Sequence, residues 1–318
     1  MGEWLQSLIP WGTDVILWLQ SFRTPALDGL FVGATYLGEE YFYIGFLPLV
    51  YWCIHKELGI QLGYLLMLSN YLNGWAKLLY RLPRPAAADM AYLRHEASPS
   101  FPSGHSQNAV AMWCYLALTV KRAAFWILAI VLIALIAISR VYVGVHFPQD
   151  LAGGLLIGGV LLALYVLLGD RVIAPWLRRQ PLALRLVLGA VAPLIMLFVY
   201  PRDYNGLYPA ETAATIVGVL VGISLGAPLE ERYIGFSVAG PFWKRLARLL
   251  VGIAIIVLVY LLPKLLLPET FAPALDTAIR VLRYALMAFT LTVVAPWLFV
   301  RLRLADRSAR GNSGCRHA

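Results

Sequence analysis

Lys77 and Arg84 stand seven residues apart where an apolar run gives way to prolines, in Lys77-Leu-Leu-Tyr-Arg81-Leu-Pro83-Arg84-Pro85. That spacing is two helical turns, which puts both cations on one face, and the prolines end the helix there. An ammonium and a guanidinium side by side suit a phosphate, the first as a point charge and the second as a bidentate fork. Basic residues at the end of a membrane span also snorkel toward head groups, so this pair gains meaning only from its neighbours.

The next apolar run opens with Pro102-Ser103-Gly104-His105. A Ser-Gly pair at a helix start leaves backbone N–H groups without intrahelical acceptors, and the helix dipole favours an anion at that place. His105 is then within reach of the anion. The plainer reading is an N-cap by Ser103 with His105 in the interface.

A third cluster, Ser139-Arg140-Val-Tyr-Val-Gly-Val-His146-Phe-Pro148-Gln-Asp150, closes one run and begins another. Pro148 suits a first helical turn. Asp150, four residues beyond His146, can accept a hydrogen bond from one imidazole nitrogen and leave the other free to attack. Histidine is a competent nucleophile when a third group orients it. Helix capping by Asp150 beside a structural His146 is the alternative.

The elements that must position these clusters follow from composition. Of 318 residues, 60% are hydrophobic and 14% charged, with a mean hydropathy of +0.73. A soluble domain carries roughly 45–50% apolar and about 25% charged residues, so a soluble globule is excluded, and so is disorder. Lys plus Arg number 26 against 17 Asp plus Glu, and apolar runs of membrane length make lipid head groups, rather than nucleic acid, the expected anionic partner. Cys53, Cys114 and Cys315 lie too far apart for a disulfide framework or a metal spacing, and read as packing residues.

A helix crossing a hydrocarbon core of about 30 Å needs about 20 apolar residues. About nine spans are expected on that rule, near 40–55, 58–80, 105–120, 123–142, 150–169, 182–200, 209–228, 247–263 and 282–300. The predicted fold is an all-α polytopic membrane bundle. Residues 1–37 are expected as an N-terminal interfacial helical segment without signal-peptide character, 38–172 as a catalytic core, 173–304 as a C-terminal transmembrane extension and 305–318 as a basic tail. Gly154 with Gly158, and Gly218, Gly222 and Gly226, mark expected helix-packing seams.

With the three clusters on one membrane face, sixteen of the 26 basic residues fall on the other, from Lys56 through Arg122, Arg185 and Arg248 to Arg316. The positive-inside rule makes that face and the C-terminus cytoplasmic, and the clusters non-cytoplasmic. Glu39, Glu40, Tyr208, Glu211, Glu230 and Glu231 read as solvated span ends, and His95 as a solvated loop residue.

Together the clusters spell K-x6-R-P, P-S-G-H and S-R-x5-H-x3-D, in that order. Over roughly residues 40–170 the sequence resembles the type 2 phosphatidic acid phosphatase superfamily, and the later residues resemble extra spans of its longer members. The resemblance implies a six-helix phosphatase core in which Lys77, Arg84 and Arg140 hold phosphate oxygens and Ser103 and Gly104 add hydroxyl and backbone donors. It implies that His146 attacks phosphorus, oriented by Asp150, and that His105 protonates the leaving oxygen and later activates water. Neither metal nor other cofactor is expected, since positioning and charge stabilisation are the chief needs of phosphoryl transfer. The expected function is hydrolysis of a lipid phosphate or diphosphate: polyprenyl diphosphate, phosphatidic acid, phosphatidylglycerol phosphate or a sphingoid phosphate. A phosphotransferase sharing the phosphohistidine is the alternative. A phosphate-lipid transporter or scramblase ranks below both, because transport has no use for paired histidines and an aspartate.

Overall fold

In the computed structural model, residues 2–201, 211–266 and 273–308 are described, so Arg202, Tyr208, Arg310, Ser313, Cys315 and Arg316 lie outside the described residues. The fold is all-α and polytopic. Among the described residues the extended pairing is a single bridge between Phe236 and Arg307. Two compact units divide the chain, one built from residues 1–44, 65–178 and 200–212, the other from 45–64, 179–199 and 213–318.

The first unit begins with short helices α1 (Gly2–Ser7), α2 (Ile9–Gln20) and α3 (Pro25–Tyr36). Helix α4 (Glu40–Leu49) leads through a π turn into α5 (Lys56–Tyr80), of which residues 45–64 belong to the second unit. Then come α6 (Gly104–Val120), α7 (Ala123–Tyr142) and α8 (Pro148–Leu164), the last extended by π turns and α9 (Ala174–Arg178). Helix α6 packs between α7 and α8. The α6–α8 contact is close because of the predicted glycine seam. A Cβ on Gly154 would strike the Ser103 carbonyl, and one on Gly158 the Gln107 carbonyl.

Helix α2 lies against α7 and α8. Gly12, Ile16 and Gln20, four apart, are buried, and Ile16 packs with Met90, Val141 and Phe147. Burying an isoleucine of this kind is worth about 1.5–3 kcal/mol. Trp11 and Trp18, seven apart on α2, form an exposed pair, and Trp4 of α1 is exposed too, a residue type that favours membrane–water interfaces.

In the second unit are α10 (Leu182–Val199), α11 (Glu211–Leu229), α12 (Phe242–Leu266), α13 (Pro273–Phe289) and α14 (Ala295–Arg301). Its core gathers Tyr51, Trp52, Phe236, Ala295 and Phe299. Cβ atoms on Gly218 and Gly222 would meet the carbonyls of Val281 and Ala285, which makes this second glycine seam the contact of α11 with α13. Glu230 is not the solvated span end expected: it is buried, paired with Lys56 at 2.7 Å, and accepts the Phe236 N–H at 2.9 Å. The buried Arg248 guanidinium donates to the carbonyls of Trp52, Ser237, Val238 and Ala239.

Each of the nine expected spans is helical over most of its length, but only six helices are long and apolar enough to cross a membrane, among the described residues. The three that fall short do so for identifiable reasons. Glu40–Ile54 is short, and α6 has 17 residues and opens on His105-Ser106-Gln107-Asn108. Helix α5 has 25 residues but carries Lys56, Glu57, Gln61, Ser69, Asn70, Asn73 and Lys77. Much of that polarity is satisfied internally: Gln107 bridges Asn73 and Ser69, while Asn108 accepts from Ser69 and donates to Asn70.

Candidate active site

Four helix ends meet around the expected residues, all within the first unit: the C-termini of α5 and α7 and the N-termini of α6 and α8. Segment 81–103 links α5 to α6. Gln20 of α2 fixes it: its Nε2 donates to the carbonyls of Ala91 and Tyr142 at 2.9 and 2.8 Å, and its Oε1 accepts the Ala91 N–H at 2.9 Å. The turn from α7 to His146 needs Gly144, whose φ of +79° L side chains rarely adopt.

His146 is 2% exposed, and its Nδ1 lies 3.2 Å from Asp150 Oδ2. The same carboxylate oxygen accepts the Phe147 N–H at 2.8 Å and the Ser100 hydroxyl. One oxygen of Asp150 thus makes both the capping bond and the contact with His146, which the sequence offered as alternatives. On the other side of the ring, Arg84 Nη1 is 3.2 Å from Nε2. A guanidinium only donates, so Nε2 presents its lone pair and Nδ1 carries the proton toward Asp150. Burial, with the charges of Arg84, Arg140 and Lys77 added, drives the His146 imidazolium well below the ordinary histidine range. The ring is neutral at neutral pH.

Lys77 and Arg84 do come together, though not by sharing a helix face. Helix α5 stops at Tyr80, Arg81 turns to φ +47°, and Leu82 is held out of the helical region by the proline after it. Arg84 thus leaves the helix. Its guanidinium donates to the carbonyls of Ser98 and Val145 at 2.6 and 2.7 Å, and Lys77 Nζ reaches Ser98 Oγ at 3.2 Å and the Pro99 carbonyl. Arg140, fully buried near the end of α7, donates to Thr35 Oγ1 at 2.7 Å and to Glu96.

Ser103 caps α6 by accepting the Ser106 N–H, and its own N–H donates to the Asp150 carbonyl at 3.0 Å. Its backbone donor is therefore already engaged, while its hydroxyl, which accepts from Ser106, keeps a proton to give. Gly104 opens α6, with the Asn73 amide 3.1 Å from where a Cβ would stand. His105 is packed so closely on Gly38 that a Cβ there would overlap its ring, and His105 Nε2 is buried without a protein partner.

Sequence reasoning missed Gly38, Glu96, Ser98 and Ser100. Glu96 is a neighbour of His95, which is exposed as expected, and is the one of these four with a signal in the sequence: a carboxylate between two basic motifs. It bridges Arg84 and Arg140. Burial pushes its carboxyl up, but Arg140 and Arg84 together outweigh that and hold it below the usual range. Glu39, by contrast, pairs with Arg94 at 2.6 Å. Around His146 the three cations Lys77, Arg84 and Arg140 outnumber the two carboxylates Glu96 and Asp150. Such a surplus of buried positive charge calls for an anion.

A family model described as PAP2 superfamily matches residues 58–173, a range that holds all the expected site residues, and one described as PAP2 superfamily phosphatase, transmembrane extension, matches 214–307. The chain is 35% identical over 152 residues to phosphatidylglycerophosphatase B of Bacillus subtilis, covering 44% of this chain and 73% of that one. It is 27% identical to lipid phosphate phosphatase delta of Arabidopsis thaliana, over 81% of this chain and 67% of the plant protein. With sphingosine-1-phosphate phosphatase 2 of Mus musculus the identity is 32%, over 62% of this chain and 57% of the relative. The chain thus spans two thirds of the plant relative and little more than half of the mouse one.

Proposed function

The chain belongs to the PAP2 superfamily, and from that premise we propose that it is an integral-membrane phosphatase that removes phosphate from a lipid monoester or diphosphate by way of a phosphohistidine at His146. One observation carries this reading. The imidazole is clamped with Nδ1 on Asp150 and its Nε2 lone pair beside the Arg84 guanidinium, which is the arrangement of an oriented nucleophile with a phosphate-binding group at its attacking atom.

Nε2 attacks phosphorus as the lipid oxygen leaves, so an N–P bond forms while the P–O bond breaks. Lys77, Arg84 and Arg140 neutralise the equatorial oxygens, and the Ser103 hydroxyl and the start of α6 add donors. His105 gives its proton to the leaving oxygen. Water, losing a proton to His105, then cleaves the N–P bond and restores His146. Charge stabilisation rests on these cations, so the reaction proceeds without a metal. The relatives' names support sphingoid phosphates and phosphatidylglycerol phosphate as substrates, beside phosphatidic acid and polyprenyl diphosphate. The excess of basic residues on the opposite face supports a site on the non-cytoplasmic side, with the tail inside.

The test is phosphate release by the purified chain from those four lipids with a chelator present, together with trapping of labelled protein by an alkaline detergent quench. The expected result is turnover of at least one lipid and an acid-labile, base-stable phosphoenzyme. Dependence on an added divalent ion, or a phosphoenzyme that survives acid, would overturn the mechanism.

A further inference from the structure

Two guanidiniums that the proposed mechanism assigns to phosphate oxygens are already occupied by a carboxylate of the chain itself. Glu96 Oε2 lies 3.2 Å from Arg84 Nη2, and Oε1 is hydrogen-bonded to Arg140 Nη2. The next nitrogen of the Arg84 fork, Nη1, is the one that stands 3.2 Å from His146 Nε2. The carboxylate therefore sits beside the attacking atom, on the donors a transferring phosphoryl group would need.

A carboxylate and a phosphate accept the same bidentate guanidinium fork. They cannot use one set of donors at once, and their like charges repel at that separation. Glu96 is also well placed to leave. Its side chain is 29% exposed, whereas that of Arg140 is 1% exposed. It stands on segment 81–103, which has no helix or strand, so its withdrawal breaks no regular element. Arg140 has the opposite constraint: buried in α7, it would be costly to leave without an anion.

We infer that Glu96 is a resident anion in the phosphoryl seat, displaced when the substrate phosphate binds and returning to expel the product phosphate. The idea rests on the phosphatase reading and adds the group with which the substrate competes. Its opposing effects are a weaker grip on any phosphate and a faster release of inorganic phosphate at the end of the cycle. No bond is made or broken by Glu96; the exchange is of hydrogen-bond partners alone.

Glu96→Gln keeps the shape and removes the charge, and Glu96→Ala removes both. For the chain and each variant in detergent, competitive inhibition constants for orthovanadate and for inorganic phosphate are measured beside KM and kcat. Charge-assisted hydrogen bonds of this kind are strong enough that their loss should lower both inhibition constants about tenfold. KM should fall in step while kcat stays level or drops as product release slows. Inhibition constants that rise or do not move in either variant, with the wild type active, would mean that Glu96 only braces the two arginines, and the inference alone would fall. A wild type that releases no phosphate from any of the four lipids and binds no vanadate would remove the phosphatase reading, and this inference with it.

Discussion

At the scale of single residues, the proposed chemistry depends on keeping the His146 imidazole neutral, with its proton on Nδ1, in a pocket rich in positive charge. His146 binds a proton far less readily when folded than the ordinary histidine value of about 6.5 allows in the unfolded chain. Protons are thus taken up preferentially by the unfolded state, so stability is fully present above about pH 6.5 and is lost as pH falls below it, by up to about 1.4 kcal/mol per pH unit for one such group. Thermal unfolding of the detergent-solubilised chain from pH 7.5 down to 5 should show this loss, and His146→Ala should reduce it while abolishing phosphate release. A slope that His146→Ala leaves unchanged would contradict the assignment, as would more than a few per cent residual activity, because nucleophile and acid act as a unit. The motif residues were legible because each is a polar type at a fixed interval in an apolar sequence. Glu96, Ser98 and Ser100 were not, since a loop has no periodicity to say which of its side chains turn inward. Gly38 was invisible for another reason: its role is the absence of a Cβ against His105.

At the scale of helices, the distance between α6 and α8 fixes the distance between motifs. The Ser103 N–H donates to the Asp150 carbonyl across that junction, and Gly154 meets the Ser103 carbonyl one turn further along. Gly154→Val should therefore wedge the two helix starts apart and carry Ser103 and His105 away from His146 and Asp150. A displacement of about 1 Å at a catalytic group can cost about 100-fold in rate, so a loss of that size in kcat is expected, with the protein still inserted and monodisperse. Gly159 supplies the control, because nothing lies within 4 Å of a Cβ there; Gly159→Ala should retain activity. Equal activity of the two variants would show that the seam does not position the site. Hydropathy located the helices well, and it overstated how many are apolar enough to span. The polar residues of α5 and α6 hydrogen-bond to one another, and a one-dimensional average cannot tell such mutual satisfaction from exposure to water. The end of α5 at residue 80 was legible, but Arg84 was not expected off the helix face of Lys77, because the proline acts on the residues before it.

At the scale of the whole molecule, the proposed sidedness joins charge to chemistry. The four helix ends at the site meet within the first unit, and sixteen of the 26 basic residues are expected on the membrane face opposite it. Ala88 is exposed on segment 81–103, and Cys315 belongs to the basic tail. In intact cells an impermeant thiol reagent should label a variant whose sole cysteine is Ala88→Cys, and should miss one retaining only Cys315 until the membrane is opened. Labelling in the reverse order would place the site on the cytoplasmic leaflet. The N-terminal helices acquire a different standing from the same geometry. Through the single amide of Gln20, α2 is stitched to Ala91 of the segment that carries Glu96 and to Tyr142 at the end of α7. With its tryptophan pair exposed, α2 reads on hydropathy as a mere float. Its inner face is a tie-rod, so the part of the chain that looks most dispensable fastens the segment beside His146 to the end of α7.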